Sequence, residues 1–238
     1  MSQENSEKII RTEGVKVNFG DFWALKGITT EIAKGEIVVI MGPSGSGKST
    51  YIRTLNRLQP HSAGTVIVDG ITIDDDTSVA DLKYIRAEIG FVFQQFNLFP
   101  HLTIMENITM APMKVKQQTK QEAEAGALKL LERVGIPEQA HKYPSALSGG
   151  QQQRVAIARA IAGDRKLLLA DEPTGNLDIP TSRAILELFH ELCTGDNELS
   201  ILMVTHDAAL AARADRMLLL RDGCVGASDV ESAWGDAA

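Results

Sequence analysis

Short, almost wholly apolar segments alternate along the chain with polar segments of helical periodicity. Residues 36–41 (EIVVIM) and 166–170 (KLLLA) are runs of the kind that is buried on both faces of a parallel sheet. Further strands are predicted over residues 65–68, 89–93 and 199–204, and helices over 48–58, 77–87 and 181–192. This alternation predicts an α/β fold with a mostly parallel sheet.

Two parts of the chain depart from that alternation. Residues 9–32 read as two strands around a Gly20-Asp21 turn, which indicates an antiparallel β lobe. Residues 95 to about 160 show no strand pattern, and helices are predicted over 103–113, 148–162 and, from a capping box at residues 119–122, to about Val134. The chain after Asp222 is rich in small residues and is expected to fray. We expect one domain (1–238), with a sheet core and β lobe (1–94 and 164–238) and an inserted helical subdomain (95–163).

Composition narrows the class of protein. The 238 residues are 44% hydrophobic and 23% charged, as in an ordinary globular protein, and the net charge of −7 makes nucleic acid an unexpected partner. The polar N-terminus lacks the pattern of a signal peptide, and every apolar run is far shorter than the ~20 residues of a spanning helix. Cys193 and Cys224 have no metal-ligand spacing and are expected to be reduced thiols of a cytosolic protein.

Residues 42–49 (GPSGSGKS) lie between a buried strand and a helix and match the P-loop pattern. Glycines let the backbone N–H groups converge on phosphate oxygens at the positive end of the following helix. Lys48 is expected on the β/γ-phosphates and Ser49 on Mg²⁺. A Gly-Ser linker has a similar composition, but linkers do not join a buried strand to a helix. The residues expected to bind nucleotide here are Gly42, Pro43, Ser44, Gly45, Ser46, Gly47, Lys48, Ser49 and Thr50.

A second apolar strand ends in two carboxylates, Asp171 and Glu172. We expect its tip to lie beside the P-loop strand, where Asp171 would hold the Mg²⁺ shell. Glu172, one residue later, would act as the general base for the attacking water. An apolar run followed by Asp-Glu also occurs at helix caps, so this assignment depends on the P-loop.

Residues 147–151 (LSGGQ) precede a predicted helix about 100 residues after the P-loop, so their N–H groups would form a second anion site. One nucleotide does not need two such sites from one chain. Serine before glycines is also typical of a simple helix N-cap. Beside a P-loop and an Asp-Glu pair we favour the anion site, formed by Ser148, Gly149, Gly150 and Gln151.

The LSGGQ segment, continued by QQRVAIARA, resembles the signature motif and helix of ABC transporter ATPase subunits, and the resemblance extends over about residues 9–223. It implies a P-loop NTPase fold. Gln94 matches the Q-loop glutamine, which contacts Mg²⁺ and senses the membrane partner. Asp178 matches the D-loop, and His206 matches the switch histidine at the γ-phosphate. Phe19 matches the aromatic residue that stacks on adenine, with Trp23 as a rival for that role.

The resemblance also implies the chemistry. The cofactors are ATP and Mg²⁺, with Lys48, Glu172 and His206 as catalytic residues and Ser49, Gln94 and Asp171 as metal ligands. ATP on the P-loop of one subunit is covered by the signature residues of a second ATPase subunit, taken to be another copy of this chain. Closure of this head-to-tail dimer around ATP and its opening after hydrolysis form the power stroke.

The type of transporter is indicated by different parts of the chain. Residues 96–103 (FNLFPHLT), with Asn107, Ala111-Pro112 and the triple glutamine at 151–153, resemble ATPases of polar amino-acid importers. Ala170 and the segments at 175–178 (GNLD) and 211–216 (AARADR) resemble ATPases of lipoprotein-release and macrolide-export systems. We favour import because residues just after the Q-loop face the membrane subunits in this family.

Import implies transmembrane permease subunits as partners, a periplasmic substrate-binding protein, and a peripheral position on the cytoplasmic face of the plasma membrane. A soluble ABC ATPase of DNA repair or ribosome-associated type is an alternative, but such proteins usually carry coiled-coil insertions or two fused cassettes. A non-hydrolysing regulatory module is disfavoured by the presence of Lys48, Glu172 and His206. The signature motif excludes an unrelated P-loop kinase.

Overall fold

A computed structural model of the chain describes residues 7–175, 177, 179–194, 199–206, 211 and 213–227. Within these residues there are ten strands and six α-helices. The strands are β1 (Lys8–Phe19), β2 (Phe22–Ala33), β3 (Ile37–Met41), β4 (Ala63–Val68), β5 (Ile71–Thr72), β6 (Ile89–Val92), β7 (Leu167–Asp171), β8 (Ser200–Val204), β9 (Arg216–Arg221) and β10 (Cys224–Ala227). The helices are α1 (Lys48–Thr54), α2 (Val79–Glu88), α3 (Ile104–Lys114), α4 (Lys120–Arg133), α5 (Gly149–Ile161) and α6 (Ile179–Thr194).

The larger sheet in the described part of the chain has six strands in the order β10-β9-β3-β8-β7-β6. Its pairs are parallel except that of β9 with β10. The prediction that β7 lies beside the P-loop strand β3 is wrong, because β8 pairs with both and separates them. Val204 is in register with Ile40 on one side and Asp171 on the other. The carboxyl ends of these three strands therefore meet at one edge of the sheet.

The smaller sheet is the predicted β lobe. Within the described residues it has four strands in the order β2-β1-β4-β5, all antiparallel. Helix α1 is tied to this lobe by Tyr51, whose buried hydroxyl lies 2.6 Å from Thr30 Oγ1 and 3.2 Å from Thr12 Oγ1. The P-loop helix is thus joined by hydrogen bonds to both strands of the β1–β2 hairpin.

Two apolar clusters lie on opposite faces of the larger sheet, and β3 contributes to both. Ile37, Val39 and Met41 belong to the first cluster, whereas Val38 and Ile40 belong to the second. This division explains why the strand is apolar throughout rather than alternating. The first cluster continues into residues of α3, α4 and α5. The helices between residues 95 and 163 therefore share the sheet's core.

Most predicted ends of helices and strands lie within two residues of those in the structure, and two predictions differ more. The helix predicted to reach residue 58 ends at Thr54. There the Asn56 side chain accepts a hydrogen bond from the Leu58 N–H and Arg57 takes a left-handed φ of 55°, so a local side-chain bond replaces the next helical turn.

Of the chain predicted to fray after Asp222, residues 224–227 instead form β10, which pairs with β9, and residues 228–238 lie outside the described part of the chain. Asp222 and Gly223 both have positive φ (51° and 78°), the conformation of a two-residue hairpin turn. The Asp-Gly dipeptide after an apolar run was the signal for this hairpin.

Each α-helix of the 95–163 segment begins with a complete capping box. The side chains of Thr103, Thr119 and Ser148 accept hydrogen bonds from the N–H groups of Glu106, Glu122 and Gln151, whose side chains accept in return from the N–H groups of the cap residues. Local sequence therefore sets where these helices start. None of the helices in the described ranges combines the length and the hydrophobicity of a membrane-spanning segment. Cys193 and Cys224 are both free thiols.

Candidate active site

The predicted P-loop is the bend between β3 and α1. Gly42 and Gly47 have φ values of 152° and 101°, which side chains rarely allow. A Cβ at Gly42 would lie 2.0 Å from the Leu220 carbonyl oxygen, and one at Gly47 would lie 2.6 Å from that of Ala24. Both positions must be glycine, because the loop packs directly on the backbone of β9 and β2.

Lys48 is the first residue of α1 and is almost wholly buried. Its ammonium donates hydrogen bonds to the carbonyl oxygens of Gly42 (2.8 Å) and Pro43 (3.0 Å). Ser46 is also buried, and its Oγ has no hydrogen-bond partner among the residues that the structure describes. The cation is therefore held against the loop that the sequence assigned to phosphate binding.

Ser49 and Asp171 are joined directly, although 122 residues separate them in the chain. Ser49 Oγ donates to Asp171 Oδ1 at 2.7 Å, and an Arg53 Nη atom lies 2.9 Å from Asp171 Oδ2. The Asp171 side chain is only 2% exposed, so its charge is compensated by this pair of contacts. The contact brings the P-loop helix to the carboxyl end of β7.

Glu172 follows at the same sheet edge with a left-handed φ of 49°. Its N–H donates to the Val204 carbonyl oxygen (2.9 Å), and its carbonyl accepts from the Gly175 N–H (3.1 Å). Its carboxylate Oε2 lies 3.2 Å from His206 Nδ1. The two residues predicted to act on the γ-phosphate therefore form a pair.

A cleft of ≈ 580 Å³ connects these groups. It is lined by Phe19 and Phe22 of the β1–β2 hairpin, by the P-loop and the start of α1, and by Glu172 and His206. The full lining is Phe19, Phe22, Ala24, Ser44, Gly45, Gly47, Lys48, Ser49, Thr50, Gln94, Glu172 and His206.

The signature residues lie elsewhere. Ser148 is the N-cap of α5, and its Oγ accepts from the Gln151 N–H at 3.3 Å while Gln151 Oε1 accepts from the Ser148 N–H at 3.0 Å. The N-cap alternative is thus correct as local structure, and it uses two N–H groups of the expected anion site, those of Ser148 and Gln151. Gly149 is exposed and Gly150 half-buried, and the described residues that line the cleft do not include this helix tip.

The signature helix also holds the segment that follows Gln94. Arg159 of α5 donates to the carbonyl oxygens of Asn97 (2.7 Å) and Phe96 (3.0 Å). Burial lowers the pKa of the Arg159 guanidinium from its usual value. The start of the segment 96–103 is therefore hydrogen-bonded to the signature helix.

These residues fit a nucleotide with its Mg²⁺. A glycine-walled loop followed by a helix and a buried lysine suits phosphates. Among the described residues no group of three or more His, Cys, Asp or Glu side chains is arranged as a metal site. Mg²⁺ commonly binds one or two carboxylates together with substrate phosphates and water, which the Ser49–Asp171 pair can accommodate.

The sequence analysis does not predict three residues of the site, Arg53, Phe22 and Ala24. Arg53 lies four residues after Ser49 on the same face of α1, a spacing that could have indicated it. Phe22 lines the cleft, whereas the rival aromatic Trp23 does not. Asp178, assigned from the D-loop, lies outside the described residues. Of the other residues predicted for the cleft, Gly42, Pro43, Ser46 and Asp171 do not line it. Those that do are Phe19, Ser44, Gly45, Gly47, Lys48, Ser49, Thr50, Gln94, Glu172 and His206.

The fold and the site define a P-loop nucleotide-binding protein. A family profile described as "ABC transporter" matches residues 25–175, well over half of the chain. The chain therefore belongs to the ABC transporter family, as an ATP-binding subunit, and it is an ATPase.

Three known proteins illustrate the similarity. The "Glutamate transport ATP-binding protein GluA" of Corynebacterium efficiens is 50% identical over 218 residues, covering 91% of this chain and 88% of the relative. The "Glutamate/aspartate import ATP-binding protein GltL" of Escherichia coli K12 is 44% identical over 229 residues, 96% of this chain and 93% of the relative. A solved structure described as a dimeric post-hydrolysis state of the ATP-binding cassette MJ0796 bound to ADP and Pi superposes with a TM-score of 0.85 at 38% identity, covering 92% of this chain and 97% of that one.

Proposed function

We propose that this chain hydrolyses ATP in the cleft between β3, β7 and β8 and thereby energises the uptake of polar amino acids through an ABC transporter. The hydrogen bond of Ser49 to Asp171 carries the assignment of the site. It joins the P-loop to the strand-end carboxylates, so phosphate binding and a candidate general base share one cleft. An importer function is supported by the relatives, which are named for glutamate and aspartate transport.

The roles of the residues follow from their positions. Lys48 and the P-loop N–H groups bind the phosphates, and the Glu172 carboxylate accepts a proton from the attacking water. His206 lies within hydrogen-bonding distance of Glu172 and orients it towards the cleft. Ser49, Gln94 and Asp171 would hold Mg²⁺, which when bound neutralises charge on the phosphate oxygens.

Assembly of the complete site requires a second copy. Ser148, Gly149 and Gly150 form an accessible helix tip outside the cleft lining, and two phosphate-binding helix tips on one chain match two half-sites. The similar cassette is a dimer. We assign to this chain a head-to-tail homodimer in which each signature tip, with Gln151 and the D-loop Asp178, covers the nucleotide of the other subunit.

The other protein partners follow from the proposed importer function. The segment 96–103, held by Arg159, is assigned to contact with transmembrane permease subunits, which would place the chain at the cytoplasmic face of the plasma membrane. A periplasmic substrate-binding protein would deliver the amino acid. The division into a catalytic core (1–94 and 164–238) and a helical signature subdomain (95–163) is part of the same proposal. It is supported by the strand-free run of α3, α4 and α5.

The test is reconstitution with the permease subunits encoded beside this chain. We expect the complex to co-purify from solubilised membranes, and its ATPase rate to rise several-fold with a binding protein loaded with glutamate or glutamine. The same binding protein without ligand is the control. Stimulation by a lipoprotein or a macrolide would replace import by export, and failure to co-purify with any membrane protein would favour a soluble ABC ATPase.

A further inference from the structure

Two phenylalanines are paired across the tip of the β1–β2 hairpin. Phe19 ends β1, Phe22 begins β2, and the two are directly paired across the Gly20-Asp21 turn. Directly opposed residues of an antiparallel pair project from the same face of the sheet. The rings are 51% and 62% exposed, which is a large apolar area to leave in water beside a binding cleft.

Both rings line the same cleft as Ser44, Gly45 and Lys48. The neighbouring Trp23 pairs with Asn18, one step along the ladder, and belongs to the opposite face. It is comparably exposed, at 44%, but does not line the cleft. Within the described residues the rings of Phe19 and Phe22 are in contact with no other aromatic ring.

We propose that Phe22 is a second base-binding residue, which together with Phe19 forms an apolar site for the adenine of the nucleotide. This inference rests on the proposed function, since it takes the P-loop end of the cleft as the triphosphate site. A planar base covered by two rings loses more water-exposed apolar surface than a base on one ring. Phe22 therefore contributes to nucleotide affinity and not to the reacting phosphate.

The experiment compares Phe22→Ala with Trp23→Ala, its matched neighbour on the other face of β2. Binding of ATP and of inorganic tripolyphosphate is measured by calorimetry in the full chain. We expect Phe22→Ala to raise the Kd for ATP about fivefold or more, because the stacking of a base on an aromatic ring contributes that much to binding affinity. Tripolyphosphate, which has no base, is expected to bind the variant as it binds the parent. Trp23→Ala is expected to bind both probes normally.

Kinetics and a conservative variant separate base binding from a structural effect. Phe22→Ala is expected to raise the KM for ATP by a similar factor with kcat unchanged, and Phe22→Tyr, which keeps the ring, is expected to restore the parent KM. If Phe22→Ala weakened the binding of ATP and of tripolyphosphate equally, the proposal would be overturned, since Phe22 would then act through the P-loop. Normal ATP binding by Phe22→Ala, with Phe19→Ala clearly weakened, would also overturn it and leave the proposed function standing. If Lys48→Ala bound both probes normally, the proposed function itself would fail.

Discussion

Individual residues of the site are held in unusual states by the strand ends around them. Glu172 has a left-handed backbone that costs a residue with a Cβ roughly 1 kcal/mol or more. Its N–H and carbonyl are both bound, to Val204 and Gly175, so the surroundings enforce this conformation. Strain of this kind is typical of functional sites. Here its consequence is that the carboxylate turns towards His206 at the edge of the sheet.

At this scale the phosphate-binding role of Lys48 is directly testable. We expect Lys48→Ala to raise the Kd for ATP at least about tenfold, because a charge-assisted contact to phosphate is lost. Isothermal titration calorimetry measures the change. Lys120→Ala, on an exposed helix position, is the control and should bind ATP normally. An unchanged affinity of Lys48→Ala would remove the P-loop assignment.

Among the elements, α1 and α5 connect local sequence to the site. Helix α5 begins with the same type of capping box as α4, although only α5 carries the signature glycines. Helix α1 carries Lys48 at its start and Tyr51 one turn later, so the hydrogen bonds of Tyr51 to the β lobe also orient the P-loop. The functional groups are therefore positioned by the way each helix is anchored.

Two N-cap substitutions separate folding from function. Ser148→Ala and Thr119→Ala each remove the serine or threonine of a capping box, so each is expected to lower stability by about 1 kcal/mol. Denaturant unfolding measures that loss. We expect only Ser148→Ala to reduce ATP hydrolysis and ATP-dependent dimerisation as well. Equal ATPase rates in the two variants would mean that Ser148 only caps its helix.

The buried hydroxyl of Tyr51 predicts a stability effect without loss of side-chain volume. Burial raises the pKa of Tyr51, and its hydroxyl is hydrogen-bonded to the hydroxyls of Thr12 and Thr30. We expect Tyr51→Phe to lower the free energy of unfolding by about 1–2 kcal/mol, because Thr12 and Thr30 lose a buried partner. Urea unfolding measures the effect, with the exposed Tyr143→Phe as control. Equal midpoints for the two variants would contradict this account.

In the molecule as a whole, one sheet edge carries the nucleotide cleft while the signature tip lies outside its lining. The apolar cluster shared by the sheet and the helices of residues 95–163 keeps these two parts in one packed unit. In the head-to-tail dimer that we propose, the cleft of each copy and the signature tip of the other form one complete site. This arrangement would couple the nucleotide state to the separation of the subunits.

This coupling predicts the behaviour of a hydrolysis-deficient variant. We expect Glu172→Gln to bind ATP normally, to lose nearly all turnover, and to accumulate as a dimer in ATP and Mg²⁺. Size-exclusion chromatography with light scattering detects the dimer. The double variant Glu172→Gln with Lys48→Ala should not form this dimer. Near-normal hydrolysis by Glu172→Gln would exclude Glu172 as the general base.

Features with short-range causes could be predicted from the sequence. The P-loop glycines, the three capping boxes and the fully apolar β3 each depend on residues within a few positions, so they are legible without the fold. The end of α1 differs from the prediction because a hydrogen bond to the Asn56 side chain competes with the helix, and no sequence pattern indicates this bond. The Asp-Gly dipeptide indicates the β9–β10 turn, whereas the small residues that follow it favour a frayed tail.

The sequence by itself determined which residues form the P-loop that we propose to bind phosphate, which carboxylates end a strand, and where the signature helix begins. Only the tertiary structure decided that β8 lies between β3 and β7, that Arg53 joins Asp171, and that Phe22 rather than Trp23 lines the cleft. The physical reason is that apolar burial is not directional. A buried strand is stabilised to a similar extent beside any of several neighbouring strands, so its position in the strand order is decided only when the complete sheet and its helices pack together.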